Sequence, residues 1–198
     1  LYKETKRVNI FGKKCKPPLL SATADKVLVL VDWDNLFFCL YKTFRVEMHL
    51  DYRLKKLMEW IKAEIGEMLG DHGFVFAPEH LSPLHQQICI ENNFKLIICP
   101  KKQIRDGRGK LTGEEDIVDE TLIWFGKMMM RHPDVKFICL VSGDNDYVPL
   151  FEEASLYGVK RVLVPPTVDS LSRSKTLVRL IDKHPTTGKK MVLRLDQV

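Results

Sequence analysis

Two aspartates, Asp144 and Asp146, flank Asn145 directly after the apolar run Lys136 to Val141, in the stretch Ser142-Gly143-Asp144-Asn145-Asp146. Asp32 and Asp34 stand in the same relation to the run Lys26 to Trp33, and Asp116, Asp119 and Glu120 form a further acidic stretch. A hydrophobic run that ends in carboxylates is how an open parallel sheet delivers ligating groups beyond the carboxyl ends of its strands. Four or more carboxylates brought to one place cannot all ionise unless cations compensate them. Hard divalent ions with oxygen ligands do so, and Mg²⁺ or Mn²⁺ suits a phosphate-containing substrate. Asn35 carries no charge, so its expected part is to orient a metal water or contact phosphate. Each group also has a purely structural use. Asp144 and Asp146 are cap and turn residues, and Asp116 and Asp119 suit the positive end of a helix.

The elements that must position these groups alternate regularly. Lys26 to Trp33 (KVLVLVDW) reads as a central parallel strand because its Val/Leu run is continuous. Phe37 to Phe44 continues as a helix or a turn. Asp51 to Leu69 is predicted as one amphipathic helix, its apolar residues spaced by three and four, with Asp51 as cap and Gly70 as stop. Strands follow at Gly73 to Ala77 and Phe94 to Cys99, separated by a helix that Ser82-Pro83 opens. A basic loop, 101–110, comes next, and the capping-box pattern Thr112 to Glu115 predicts a helix from there to Arg131. The strand Lys136 to Val141 leads to a helix Tyr147 to Tyr157 closed by Gly158. A strand Lys160 to Val164, a helix Ser170 to Lys183 and an edge strand Lys190 to Leu195 complete the chain. Such alternation demands a mainly parallel sheet, hence an α/β fold of Rossmann-like type, a three-layer α/β/α sandwich.

Helix periodicity separates the candidates for the middle acid. Ile117, Val118, Leu122, Phe125, Met128 and Met129 share one arc, the expected core face. Asp119 falls at its border and Asp116 further towards solvent, so Asp119 leads. Asp32 to Leu36 contains no glycine, which excludes a dinucleotide fingerprint after the first strand. Gly107 to Thr112 is no P-loop, because Leu111 stands where Ser or Thr should follow the lysine.

At 198 residues, 45% hydrophobic and 29% charged, the chain is expected to hold one domain over 26–183, between a basic N-terminal arm, 1–25, and a C-terminal tail, 184–198. No apolar stretch approaches the roughly 20 residues of a membrane span. The start lacks both an initiator Met and a signal-peptide core, which fits an excised fragment. The five cysteines form no CxxC pair, so buried, reduced thiols of a cytoplasmic protein are expected. The net charge of +5 is concentrated in the arm and in Lys101, Lys102, Arg105, Arg108 and Lys110, placed to guide a phosphate backbone. Trp33, Phe37 and Tyr147 are candidates to stack unpaired bases, with core packing the competing use of Phe37.

Four motifs carry a family resemblance. VDWDNL (Val31 to Leu36), EDIVDETL (Glu115 to Leu122), LVSGDNDYVPL (Leu140 to Leu150) and EEASLYGVKRVLV (Glu152 to Val164) together resemble the NYN domain, a branch of the PIN-like nucleases. The resemblance implies a PIN-like fold and a metal-dependent endoribonuclease. By it Asp32 matches the first metal-ligand aspartate, Asn35 the accompanying asparagine, and Asp144 and Asp146 the paired aspartates of the last motif, with Ser142 as its polar lead. Val118-Asp119 fits the middle pair, and an alignment on Asp116 is also open. Asp32, Asp119, Asp144 and Asp146 are then the expected catalytic set, holding one or two Mg²⁺ or Mn²⁺ ions with Asp116. Asn35, Ser142 and Asn145 join the basic residues as expected substrate contacts. The implied partner is RNA, single-stranded or structured, with a possible homodimer and no membrane.

Two other readings stay open. The second acid that some members carry six residues further on is replaced here by Phe125 or Leu122, which favours a catalytically weak RNA-binding or scaffold module of the same fold. Asp32-Trp33-Asp34 also looks like the nucleophile motif of a haloacid-dehalogenase-type phosphatase, although Leu36 stands where that family has Thr or Val.

Overall fold

The strand that carries Asp32 is buried along its length after Lys26, as a continuous Val/Leu run requires of a strand covered on both faces. In the computed structural model, which describes residues 25–44 and 50–197, the strands are β1 (Lys26–Asp32), β2 (Glu67–Met68), β3 (Gly73–Pro78), β4 (Phe94–Cys99), β5 (Lys101–Arg105), β6 (Leu111–Asp116), β7 (Val135–Val141) and β8 (Lys160–Leu163). The main sheet runs in the order β4-β3-β1-β7-β8, with β2 pairing the start of β1, and every pairing in it is parallel. The helices are α1 (Trp33–Phe44), α2 (Leu50–Trp60), α3 (Pro83–Glu91), α4 (Val118–Met129), α5 (Val148–Leu156), α6 (Val168–Arg173) and α7 (Lys175–Leu180). α1 packs on β1 and β3, and α3 on β4. α4 crosses β1 and β3 and rests against α5. Helices cover both faces of a parallel sheet, the expected α/β sandwich. The chain winds outward from β1 to β4, then returns to place β7 on the other side of β1. The order therefore reverses between β1 and β7, and the crevice beyond such a reversal is where open α/β sheets bind ligands.

Several expected elements differ, each for a physical reason. The long helix over 51–69 ends at Trp60, continues as a π-helical turn over Ile61–Ile65, and gives way to β2. Met68, whose spacing suggested a helix, is buried because it pairs with Val27 of β1. The basic loop and the capping box are both replaced by an antiparallel hairpin, β5–β6. Lys101 lies opposite Asp116, Lys102 opposite Glu115, and Gln103 opposite Glu114, so a basic strand pairs with an acidic one. Asp106 closes the turn, its Oδ1 accepting from the backbone N–H groups of Arg108 and Lys110, each at 2.9 Å. α4 then begins at Val118 without a side-chain cap. The last helix is broken at Ser174 into α6 and α7, and in place of an edge strand Lys190 to Leu195 the residues beyond it meet β8 through an isolated bridge, Leu163 to Val192, and through the Asp182 carboxylate, which accepts from the Arg161 guanidinium. The basic arm lies outside the described residues apart from Asp25.

The core face of α4 is Val118, Leu122 and Gly126, while Met128, expected inside, is 49% exposed. Gly126 explains the rotation. A Cβ there would stand 2.7 Å from Leu150 Cδ1 and 2.9 Å from Leu30 Cδ1, so the helix rides closest to the sheet over a residue that an apolar arc omits. Both leucines are fully buried and have nowhere to swing. Gly126→Ala should therefore cost about 1–3 kcal/mol in urea unfolding. Gly107→Ala, with nothing near its Cβ, should stay within about 0.5 kcal/mol.

Candidate functional site

Asp32 ends β1 and is 4% exposed, with one hydrogen bond to each carboxylate oxygen. Oδ1 accepts from the backbone N–H of Asn35 at 3.1 Å, and Oδ2 accepts from Ser142 Oγ at 3.1 Å. The helix must start at once, at Trp33, for the Asn35 amide to reach back. Asn35 Oδ1 in turn accepts from the backbone N–H of Gly143 at 2.9 Å, which ties α1 to the loop after β7. Ser142 Oγ accepts from the N–H of Asp144 at 3.2 Å, and Asp144 caps the following turn by accepting from the N–H of Asp146 at 3.1 Å.

Gly143 is a glycine for reasons of space. A Cβ there would lie 2.4 Å from Ser170 Cβ and 3.1 Å from Ser170 Cα, so only glycine lets α6 cross so near. The Ser174 hydroxyl, fully buried, sits 2.6 Å from Gly143 O and 2.5 Å from Ser170 O and fixes that crossing. The break between α6 and α7 is thus part of the site.

These elements enclose a cleft of about 310 Å³ at the carboxyl edge of the sheet. Asp32, Asp34, Asp116, Asp119 and Asp144 line it. Lys42 and Arg173 line it as well, both exposed, with Phe38 and Cys39 of α1, and the Arg173 guanidinium donates to Cys39 Sγ at 3.8 Å. Burial pushes the Asp32 carboxyl up to about 6, with the Asn35 hydrogen bond opposing and the charge of Asp119 adding. Asp119 is raised by burial, against the hydrogen bond from Tyr147, and further by Asp144, Asp146 and Glu120. Asp34 is raised by burial too, relieved by His80 and increased by Asp116 and Asp119. The Tyr147 hydroxyl, wholly buried, donates to Asp119 Oδ1 and lies against Asp32.

Of the residues the sequence singled out, Asp32, Asn35, Asp116, Asp119 and Asp144 line one cleft. Asp119 is half-buried and its charge bears on Asp32, whereas Asp116 is exposed and bears on Asp34. Ser142 is buried behind the cleft, and Asp146 is exposed outside its lining. Asn145 faces away, donating from Nδ2 to the backbone O of Arg173 at 2.8 Å. Lys101 and Lys102 stand 3.8 and 4.0 Å from Glu114 and Glu120, and Arg105 donates to Gly109 O and Gln103, so these cations serve their own hairpin and α4. Arg108 and Lys110 are exposed at its tip. Trp33 and Tyr147, expected as base-stacking surfaces, are 2% and 0% exposed and cannot stack a ligand.

The cleft cations, Lys42 and Arg173, were not singled out. A signal existed for the first: with a helix starting at Trp33, residues 34, 38 and 42 recur at four-residue spacing on one face. Arg173 had none, since its place depends on the α6 crossing.

The donor set can be tested for a divalent ion. Among the described residues no three Asp, Glu, His or Cys side chains form a tight cage. Mg²⁺ needs only one or two carboxylates and keeps several waters, and a buried Asp32 pushed up for want of a counter-charge suits it. The residues fit.

Without divalent cations, Asp32 makes stability depend on pH. Its folded pKa of about 6 exceeds the ordinary 3.8, so the folded state binds more protons between those values. Stability falls as pH rises through that window, by about 3 kcal/mol when complete. Asp32→Asn should lose this dependence and unfold at higher urea than the parent at pH 7.5, but not at pH 4.

No helix among the described residues is long and apolar enough to cross a membrane, and Cys39, Cys89, Cys99 and Cys139 are free thiols. No curated protein matches the chain. Among solved structures, a PLP-bound candidate aminotransferase from Clostridium difficile 630, crystallized with magnesium formate, matches at 14% identity and a TM-score of 0.23. That match covers 67% of this chain and 40% of the other, and at such a score it bears on neither fold nor activity. The chain thus spans less than half the length of that protein. The NYN domain model, by contrast, matches residues 26–184, from the first residue of β1 past the end of α7, and includes every residue that lines the cleft. The chain belongs to the NYN domain family, within the PIN-like nuclease superfamily.

Proposed function

We propose that this chain is a metal-dependent endoribonuclease that hydrolyses phosphodiester bonds in RNA, working in the cytoplasm. The observation that carries the reading is the mixed charge of the cleft, lined by carboxylates from β1, α1, β6, α4 and the loop after β7 and also by Lys42 and Arg173. Acids alone would repel a phosphate. Cations alone would bind it without activating water. The two together suit a phosphodiester held beside a divalent ion.

Asp32, Asp119 and Asp144 are the proposed holders of Mg²⁺ or Mn²⁺, with Asp116 at the outer corner and Asp146 acting through its charge. A bound ion supplies a water acidic enough to attack at neutral pH and offsets charge on the leaving oxygen. The chain's own residues do the remaining work. Asn35 and Ser142 hold Asp32 in one orientation, and Tyr147 holds Asp119. Lys42 and Arg173 bind the phosphate oxygens, Arg173 being suited to a two-pronged contact.

Purified protein with Mn²⁺ and end-labelled single-stranded RNA tests this. Cleavage is expected, and Asp144→Asn should reduce it by about a hundredfold or more. Cleavage that is absent, or that survives Asp144→Asn, sinks the reading. The ion has a separate readout. At pH 7.5, Mn²⁺ should raise the melting temperature of the parent and leave that of Asp32→Asn nearly unchanged, and the increment should shrink as pH falls below about 6, where Asp32 takes up a proton. An equal rise in both proteins would show that Asp32 is not a ligand.

A further inference from the structure

A second cavity adjoins the acidic cleft, and the two share a wall. It has a volume of about 210 Å³ and lies between the start of α1 and the connection from β3 to α3. Asp34 and Phe38 line both spaces. Trp33, Phe37, His80 and His85 add rings to its wall, and Pro78, Leu81 and Ser82 close it. Trp33, almost fully buried, backs the cavity, and His80 is exposed.

The rings are fixed by one another. Phe37 lies 4.8 Å from His85 and 5.7 Å from Phe38 between centroids, and Trp33 lies 5.2 Å from His85. Phe38 nevertheless leaves 50% of its surface in water at the rim of a charged cleft. Asp34 is half-buried, and among the described residues its carboxylate accepts no hydrogen bond. The space therefore offers a ring face to stack on and, at one end, an acceptor lacking a donor. It is too small for a drug-sized ligand and has room for one planar heterocycle.

We propose that this cavity is a nucleobase subsite for an unpaired nucleotide next to the scissile phosphate. The identity of the polymer rests on the ribonuclease reading above. The base stacks on Phe38 beside His80, its amino edge donates to Asp34, and its phosphate reaches Lys42 and Arg173 across the shared wall. A base within a duplex is stacked and paired and cannot enter, so the substrate class is single-stranded. An acceptor carboxylate also sets a preference. Adenine, cytosine and guanine present an exocyclic amino group, whereas uracil presents carbonyl oxygens on either side of a single N–H.

The test measures binding apart from cleavage, by fluorescence anisotropy of labelled oligoadenylate, oligouridylate and their duplex with the full chain in Ca²⁺. Oligoadenylate should bind about tenfold more tightly than oligouridylate, and the duplex more weakly than either. Phe38→Ala should weaken single-strand binding by about tenfold. Asp34→Ala should bring the two homopolymers together. Both side chains are partly or largely exposed, so folding is preserved, and melting curves confirm that. Unchanged binding in Phe38→Ala and His80→Ala, or a duplex bound as tightly as single strands, overturns the subsite. A parallel cleavage assay in Mn²⁺ separates the two claims. If the parent cleaves and Phe38→Ala both binds and cleaves like it, the subsite falls and the nuclease stands. If the parent fails to cleave while Phe38→Ala loses binding, the nuclease falls and the subsite stands.

Discussion

Everything at the edge of the sheet depends on a carboxylate that has left water. Asp32 must end β1 in the interior, because β1 is the middle strand and both its faces are covered. Desolvating that charge is costly, and the hydrogen bonds from Asn35 and Ser142 recover only part of it, which is why its pKa stays high. Those partners are not idle elsewhere. Ser142 also receives the Asp144 amide, Asn35 receives the Gly143 amide, and Gly143 offers its carbonyl to Ser174. A short relay of hydrogen bonds thus leads from Asp32 to α1, to the loop after β7 and to the α6–α7 junction. The walls of the cleft are positioned relative to one buried group.

The same economy of charge governs the surface. The chain carries a positive excess, yet its most basic stretch within the described residues spends part of that charge on the acids of the neighbouring strand and of α4. Exposed pairs at 3.8 and 4.0 Å contribute little to stability, roughly 0–1 kcal/mol each, but they offset the charge of Lys101 and Lys102, the two cations at the foot of the stretch. The unbalanced positive potential near the acids comes instead from Lys42 and Arg173. Cleft polarity is therefore a property of α1 and α6 more than of any basic run.

The layered architecture was legible because strand runs such as KVLVLVDW and helix starts such as Ser82-Pro83 are local signals that tertiary packing did not override. The convergence of Asp32 and Asp144 was legible because parallel strands put their carboxyl ends on one edge, and Asp119 was legible from its place at the border of the apolar arc of α4. The hairpin was hidden for the opposite reason. Its strands are almost wholly exposed, so no apolar alternation marks them, and the pairing of Lys101 with Asp116 is visible only across the turn. The Thr112 to Glu115 pattern is a sound capping box in isolation, but the stretch pairs with β5, Glu115 opposite Lys102, and extends. Met128 was misplaced because Gly126 sets the closest approach of α4, and a glycine has no hydrophobic weight in a periodicity. Arg173 was out of reach altogether, since its position depends on Gly143 making room for Ser170 across twenty-seven residues of chain.

The hairpin divides the molecule into two mechanical classes. A two-stranded ribbon with water on both faces is marginal by itself, whereas β3, β1 and β7 at the centre of the main sheet are buried almost throughout. Asp32, Asp119 and Asp144 are anchored in the second class. Asp116, the last residue of β6, belongs to the first, although it reaches the same cleft. The acidic wall therefore draws on both classes, with Asp116 held at the foot of the hairpin, where it lies opposite Lys101.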